Sequence, residues 1–235
     1  MIKNILFDLD GTLLPMDQYK FANVYFSRLV KKLAPLAYEP QKTEDGVWAG
    51  TAAMVKNDGG ITNEKAFWLK FEELFGKDAL RDKPVFDEFY RNEFNDVKSD
   101  CGFNPAAAKT VKELKEKGFK LILATNPIFP AVATESRIKW AGLDKGDFEL
   151  YTTYENSHYC KPNPAYYGEI LENLSLDPSE CLMVGNDVIE DGAAQKLGIK
   201  VFLLTDCLIN KKGIDINAYP HGSFKELSEY IKTIM

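Results

Sequence analysis

The run Asn4-Ile5-Leu6-Phe7-Asp8-Leu9-Asp10-Gly11-Thr12 decides the fold. Its apolar start reads as a short buried strand, and it breaks off at two carboxylates and a glycine. In an open α/β sheet, ligands bind beyond the carboxyl ends of the strands. Asp8 and Asp10 are therefore expected at the mouth of such a site. Two acids two residues apart at a strand end can share a metal ion or divide nucleophilic and acid work between them. The plainer reading is a strand closed by a polar turn, because Asp and Gly form turns. The rest of the chain decides between these by whether it supplies partners.

Downstream of Thr12 the period changes to that of a helix. Phe21, Tyr25, Leu29 and Leu33 recur every fourth residue, with Asp17 as N-cap and Pro35 near the far end. Residues 39–63 contain Gly46, Gly50, Gly59 and Gly60, and short helix and loop are expected there. Thr62 or Asn63 then caps a helix carrying Phe67, Phe71, Leu74 and Phe75, stopped by Gly76. Pro84 opens another with Val85, Phe86, Phe89, Tyr90 and Phe94. Residues 15–99 thus read as all-helical.

From Asn104 helices and strands alternate. A helix Ala106–Lys117 is followed by the strand Phe119–Ala124 and Thr125-Asn126-Pro127. A helix Ala131–Trp140 precedes a strand near Phe148–Thr152, and Asn163-Pro164 opens a helix to about Leu174. Strand Cys181–Val184 runs into Gly185-Asn186-Asp187, helix Asp191–Leu197 into strand Lys200–Leu204, and a last helix spans Phe224–Ile234. Such alternation implies a parallel sheet covered on both faces. The expected architecture is α/β: a Rossmann-like core of residues 1–14 and 100–235, with a small helical cap, 15–99, inserted after strand one.

Strand ends now collect polar groups: Asp8 and Asp10, Thr125 and Asn126, Lys161 in Cys160-Lys161-Pro162-Asn163-Pro164, and Asp187 with Asp191. A parallel sheet points all of them at one rim. Several carboxylates with a lysine and a hydroxyl are what metal-assisted phosphoryl transfer requires. A hard cation such as Mg²⁺ takes oxygen ligands, a carboxylate can accept the phosphoryl group, and cationic and hydroxyl donors must surround the transferring oxygens. Each residue also has a plain reading: a strand-end threonine for Thr125, a solvated lysine for Lys161, a helix N-cap for Asp191.

These motifs, in this order, resemble the haloacid dehalogenase (HAD) superfamily, in its phosphatase branch with a helical cap between the first and second motifs. The resemblance rests on Asp8-Leu9-Asp10-Gly11-Thr12, Thr125, Lys161, and Gly185-Asn186-Asp187 with Asp191, and it covers essentially the whole chain. It implies a Mg²⁺-dependent phosphatase of a small phosphorylated metabolite. Asp8 would be nucleophile and metal ligand, forming an aspartyl phosphate. Asp10 would be general acid and base, with its backbone carbonyl on the metal. Thr125, Asn126 and Lys161 would hold the phosphoryl oxygens, Asp187 would bind Mg²⁺, and Asp191 would orient the metal from the second shell. Asn186 stands between the glycine and acid that the family commonly joins, and Glu190 ranks third as a metal-binding acid. A phosphotransferase or sugar-phosphate mutase of the same superfamily is the alternative, and a catalytically silent binding protein on the scaffold a further one.

Composition bounds the rest. A net charge of −6 without a basic stripe argues against nucleic acid. No apolar run is long enough to span a bilayer, and the N-terminus lacks a signal-peptide pattern. Cys101, Cys160, Cys181 and Cys207 form no CxxC pair, and reduced thiols in a cytoplasmic protein are expected. A monomer or homodimer is anticipated. Trp48 and Trp68 read as cap core, and Arg28, Lys56 and Asn57 as a solvated face.

Overall fold

The computed structural model describes residues 1–36 and 38–235. Its centre is one six-stranded parallel sheet of order β3-β2-β1-β4-β5-β6. The strands are β1 (Asn4–Phe7), β2 (Lys120–Leu123), β3 (Leu150–Tyr151), β4 (Cys181–Gly185), β5 (Lys200–Leu204) and β6 (His221–Gly222). β1 lies in the middle, in register with both neighbours: Phe7 is level with Leu123 on one side and Val184 on the other. The chain leaves β1 toward one half of the sheet and later returns to β1's other side with β4. This reversal opens a crevice at the carboxyl ends of β1 and β4.

Strand side chains alternate between two apolar layers. Ile5, Phe7, Leu123, Val184 and Phe202 join one cluster; Leu6, Ile122, Met183 and Leu203 join the other. Helices α5 (Pro105–Glu116), α6 (Ala131–Trp140) and α8 (Phe224–Ile234) cover the first face, and α7 (Pro164–Leu174) the second. Local chemistry sets their starts. Asn104 and Asn163 accept hydrogen bonds from the N–H groups of Ala106 and Ala165, and a proline occupies the first turn of both α5 and α7.

Between β1 and α5 the described residues form α1 (Gln18–Leu33), α2 (Pro40–Val55), α3 (Asn63–Phe75), α4 (Lys83–Arg91) and 3-10 turns. Asp17 caps α1 through Tyr19 and Lys20, and Thr62 caps α3 through Lys65. The segment's apolar faces merge with the first layer of the sheet: Phe21, Tyr25 and Phe94 pack on Phe129, and Phe94 stacks on Trp140. Its two ends run side by side, with a bridge between Met16 and Cys101 and a 2.7 Å hydrogen bond from the Gly102 N–H to the Pro15 carbonyl.

Three elements differ from expectation. Residues 39–63 are mostly one 16-residue helix, α2, not short helix and loop. Glycine within a helix costs about 1 kcal/mol, but Gly46 and Gly50 let Phe75 and Phe67 of α3 lie directly on the α2 backbone, where a Cβ would clash with either ring. The expected helix Asp191–Leu197 is a 3-10 segment, Gly192–Leu197. The two-residue strand β6 carries no apolar run to announce it. No helix among the described residues is long and apolar enough to cross a membrane.

Candidate active site

The register of the sheet explains why the polar residues meet. Asp8 follows Phe7 directly, and its N–H donates to the Val184 carbonyl at 2.9 Å. Thr125 and Asn126 lie just past β2, and Asn186 and Asp187 just past β4. Lys161, from the loop before α7, is buried among them. Its Nζ donates to Asp8 Oδ1 at 2.9 Å and to Asp191 Oδ1 at 2.7 Å. Burial works against the lysine's charge, but Asp191 and Asp8 outweigh it and hold its pKa well above the ordinary value. Burial likewise pushes Asp8 up to about 7, opposed by Lys161 and reinforced by Asp191 and Asp10.

Asp191 is nearly inaccessible, at 1% exposed, and both its oxygens are engaged. Oδ1 holds Lys161, and Oδ2 accepts the Asp187 N–H at 2.9 Å. It makes no side-chain cap on the segment that follows it. Gly185 is what admits it, since a Cβ there would sit inside the Asp191 carboxylate. Asp187 Oδ1 accepts the N–H groups of Ile189 and Glu190 at 2.7 and 2.9 Å, which fixes the carboxylate over its own turn.

The interposed Asn186 is a brace. Its Oδ1 accepts from Thr12 Oγ1 at 3.0 Å and its Nδ2 donates to the Cys207 carbonyl at 2.7 Å. It thereby ties the turn after β1 to the loops after β4 and β5. Gly11, at φ +88°, makes that approach possible, because a Cβ would collide with the Asn186 amide.

Asp10 has a partner that sequence reasoning missed. Arg137 on α6, fully buried, donates through Nη1 to Asp10 Oδ2. Its Nη2 donates to Thr134 Oγ1 at 3.3 Å and its Nε to the Ala133 carbonyl at 3.4 Å, and the guanidinium lies 4.5 Å over the Phe129 ring. Asp10 Oδ1 is buried and unpartnered. A faint signal existed: Ala133, Arg137 and Ala141 share one helical face, and an arginine on an apolar face needs an acid.

Thr125 is buried, and its backbone carbonyl accepts Thr152 Oγ1 and Tyr166 Oη at 2.6 and 2.8 Å. Asn126 Nδ2 donates to Glu190 Oε2 at 3.1 Å, while Asn126 Oδ1 is buried without a partner. Burial, opposed by Lys161 and reinforced by the neighbouring aspartates, pushes Glu190 up to about 8. His158 pairs with Glu169 on α7, and burial raises the Cys160 thiol to about 12, so neither contributes a base or a thiolate here.

Asp8, Asp10, Thr125, Asn126, Asp187, Glu190 and Asp191 line one end of a cavity of about 220 Å³ whose other walls come from α1–α4, Phe129 and Tyr154. Lys161 buttresses this end from behind. Trp48, expected in the core, is half exposed and lines the cavity with Trp68. Arg28 does not reach it and pairs instead with Asp96 at 3.2 Å.

The donor set suits a hard cation. Five carboxylates surround the crevice against two cations, Lys161 and Arg137, and every free donor is oxygen. Among the described residues no group of three His, Cys, Asp or Glu side chains is placed to hold a metal ion by itself. Mg²⁺ asks for less, since it binds through one or two carboxylates and keeps waters. Asp8 Oδ2 and Asp187 Oδ2 make no hydrogen bond within the described residues.

Related proteins share this arrangement of chain. A phosphoglycolate phosphatase of Aquifex aeolicus is 27% identical over 199 residues, covering 85% of this chain and 83% of its own. One from Colwellia psychrerythraea is 26% identical over 97% and 94%. In fold, the crystal structure of a 2-haloacid dehalogenase from Pseudomonas syringae pv. tomato superposes with a TM-score of 0.65 at 21% identity over the full length of both chains. The haloacid dehalogenase-like hydrolase family model matches residues 2–198, from the start of β1 through β4 and its acidic turn, and the chain belongs to that family of hydrolases.

Proposed function

We propose that this hydrolase is a Mg²⁺-dependent phosphatase of a small phosphorylated metabolite, working through an aspartyl phosphate on Asp8. The observation that carries the reading is the Lys161 bridge. One ammonium holds Asp8 by Oδ1 and leaves Oδ2 without a partner, on a carboxylate that lines the cavity. A carboxylate fixed at one oxygen has the other ready to attack phosphorus. The names of the Aquifex and Colwellia relatives support the same chemistry.

The steps assign themselves to particular atoms. Asp8 Oδ2 attacks the phosphorus and the ester oxygen departs. Asp10, whose carboxylate lines the cavity and is held by Arg137, gives that oxygen its proton and then takes one from the water that hydrolyses the aspartyl phosphate. Lys161, the Thr125 hydroxyl and the Asn126 amide stabilise charge on the phosphoryl oxygens. Asp191 acts through others, orienting Lys161 and the Asp187 backbone. Asp8, Asp187 and the Asp10 backbone carbonyl would hold Mg²⁺, which when bound would supply positive charge to the phosphoryl oxygens. We further propose that residues 15–99 form a cap domain over a core of 1–14 and 100–235, excluding bulk water from the cavity.

The test is inorganic phosphate release from a panel of phosphate monoesters, with Mg²⁺, with EDTA and with Asp8→Asn. Release should require Mg²⁺ and fall to background in the variant. Mg²⁺-dependent release undiminished by Asp8→Asn would refute the mechanism, and phosphoryl exchange between sugar phosphates without release would identify a transferase.

A further inference from the structure

The cavity's composition speaks to the leaving group. We propose that the substrate carries its phosphate on an uncharged, largely apolar group of about the size of one aromatic ring, not on a second anionic group. This rests on the phosphatase reading and specifies its substrate class.

Charge is the first argument. The cavity lining contains no lysine, arginine or histidine, but five carboxylates. The two cations behind it are committed, Lys161 to Asp8 and Asp191, and Arg137 to Asp10. Three lysines of the overlying helices are paired away from the cavity, Lys20 with Asp100, Lys32 with Glu88 and Glu93, and Lys83 with Glu64, and no other cation of those helices lines it. One Mg²⁺ can offset the phosphoryl group. A carboxylate at the substrate's far end would be buried among aromatic rings without a cationic partner.

Shape and chemistry of the wall are the second argument. Ten of the 25 lining residues are aromatic. Phe67 and Trp68 meet edge to face at 5.3 Å between centroids, and Trp48 lies 5.1 Å from Phe26, leaving a half-exposed indole over the cavity. Away from the phosphate end the polar groups are neutral, chiefly Gln18, Thr51 and the Tyr25–Tyr90 hydroxyl pair at 2.7 Å. Such a wall stabilises apolar surface and can satisfy one or two neutral hydrogen bonds. About 150 Å³ holds a benzene, so a cavity of about 220 Å³ has room for an aromatic ring. The carboxylate-bearing substrate named for the Aquifex and Colwellia relatives does not match this wall.

The test compares three monoesters with alkyl leaving oxygens: 2-phenylethyl phosphate, ethyl phosphate and phosphoglycolate. Binding is measured by calorimetry to folded Asp8→Asn protein with Mg²⁺, and kcat/KM on the unaltered enzyme. Burying the ring should favour 2-phenylethyl over ethyl phosphate by about a hundredfold, with phosphoglycolate the weakest of the three. Trp48→Ala should shrink the phenylethyl-to-ethyl ratio about tenfold. Phosphoglycolate binding as tightly as 2-phenylethyl phosphate would overturn the proposal while leaving the phosphatase reading intact. Tight binding of the phenylethyl ester without turnover by the unaltered enzyme would support the pocket assignment and refute the phosphatase reading.

Discussion

Replacing Arg137 by methionine tests the least expected contact in the site. The guanidinium is fully buried and holds Asp10, Thr134 and the Ala133 carbonyl, with Phe129 beneath it. Breaking a buried ion pair from one side costs about 3–5 kcal/mol, because the remaining charge is stranded. The Asp10 side chain is 22% exposed and can recover some hydration, which favours the lower end, about 3 kcal/mol. For a chain of 235 residues this lowers Tm by about 6–12 °C. Thermal unfolding of Arg137→Met, Asp10→Asn and the double variant measures the coupling. Removing the stranded charge should restore part of the loss, giving a coupling above about 1 kcal/mol. Because Arg137 positions Asp10 and does not reach the cavity, Arg137→Met should also lower kcat with little change in KM. A Tm within about 2 °C of the unaltered protein, or a coupling indistinguishable from zero, would refute the argument.

Two further substitutions probe the turn after β4. Gly185→Ala should displace the Asp191 carboxylate, cost about 1–3 kcal/mol in urea unfolding and release Lys161, with activity falling at least tenfold; an active variant of unchanged stability would contradict this. Asn186→Ala strands Thr12 Oγ1 and the Cys207 carbonyl, and should cost about 2 kcal/mol in the same assay, whereas a cost below about 0.5 kcal/mol would show the brace to be dispensable.

Much of this was legible from the sequence for a physical reason: strand ends, caps and prolines are local signals. Phe7 followed by Asp8, Leu123 by Ala124-Thr125, and Val184 by Gly185-Asn186-Asp187 mark where apolar runs stop, and parallel register then aligns them. Asn104-Pro105 and Asn163-Pro164 announce their helices in the same way. What was hidden depends on distant partners. The glycines of α2 signify loop until the rings of α3 are laid upon them. Arg137 has meaning only opposite Asp10, 127 positions away, and the brace formed by Asn186 only once Thr12 and Cys207 arrive beside it. Strand β6 exists because β5 offers it an open edge, pairing Leu203 with His221, not because its own sequence favours it.

The hydrogen-bonded meeting of Pro15 with Gly102, beside the Met16–Cys101 bridge, bears on how such a chain can diversify. Two crossings fastened together form a socket of fixed width. Whatever is spliced between them meets the rest of the molecule through the same two adjacent points, so β1 and α5 keep their places. Loop-closure entropy grows only with the logarithm of the inserted length, so the length between the crossings is loosely constrained, whereas the apolar face of what lies between them must still fit Phe129 and Trp140. Substitutions among the cavity-lining residues of α1–α4 can then change which compounds fit, while the carboxylates at the strand ends stay as they are.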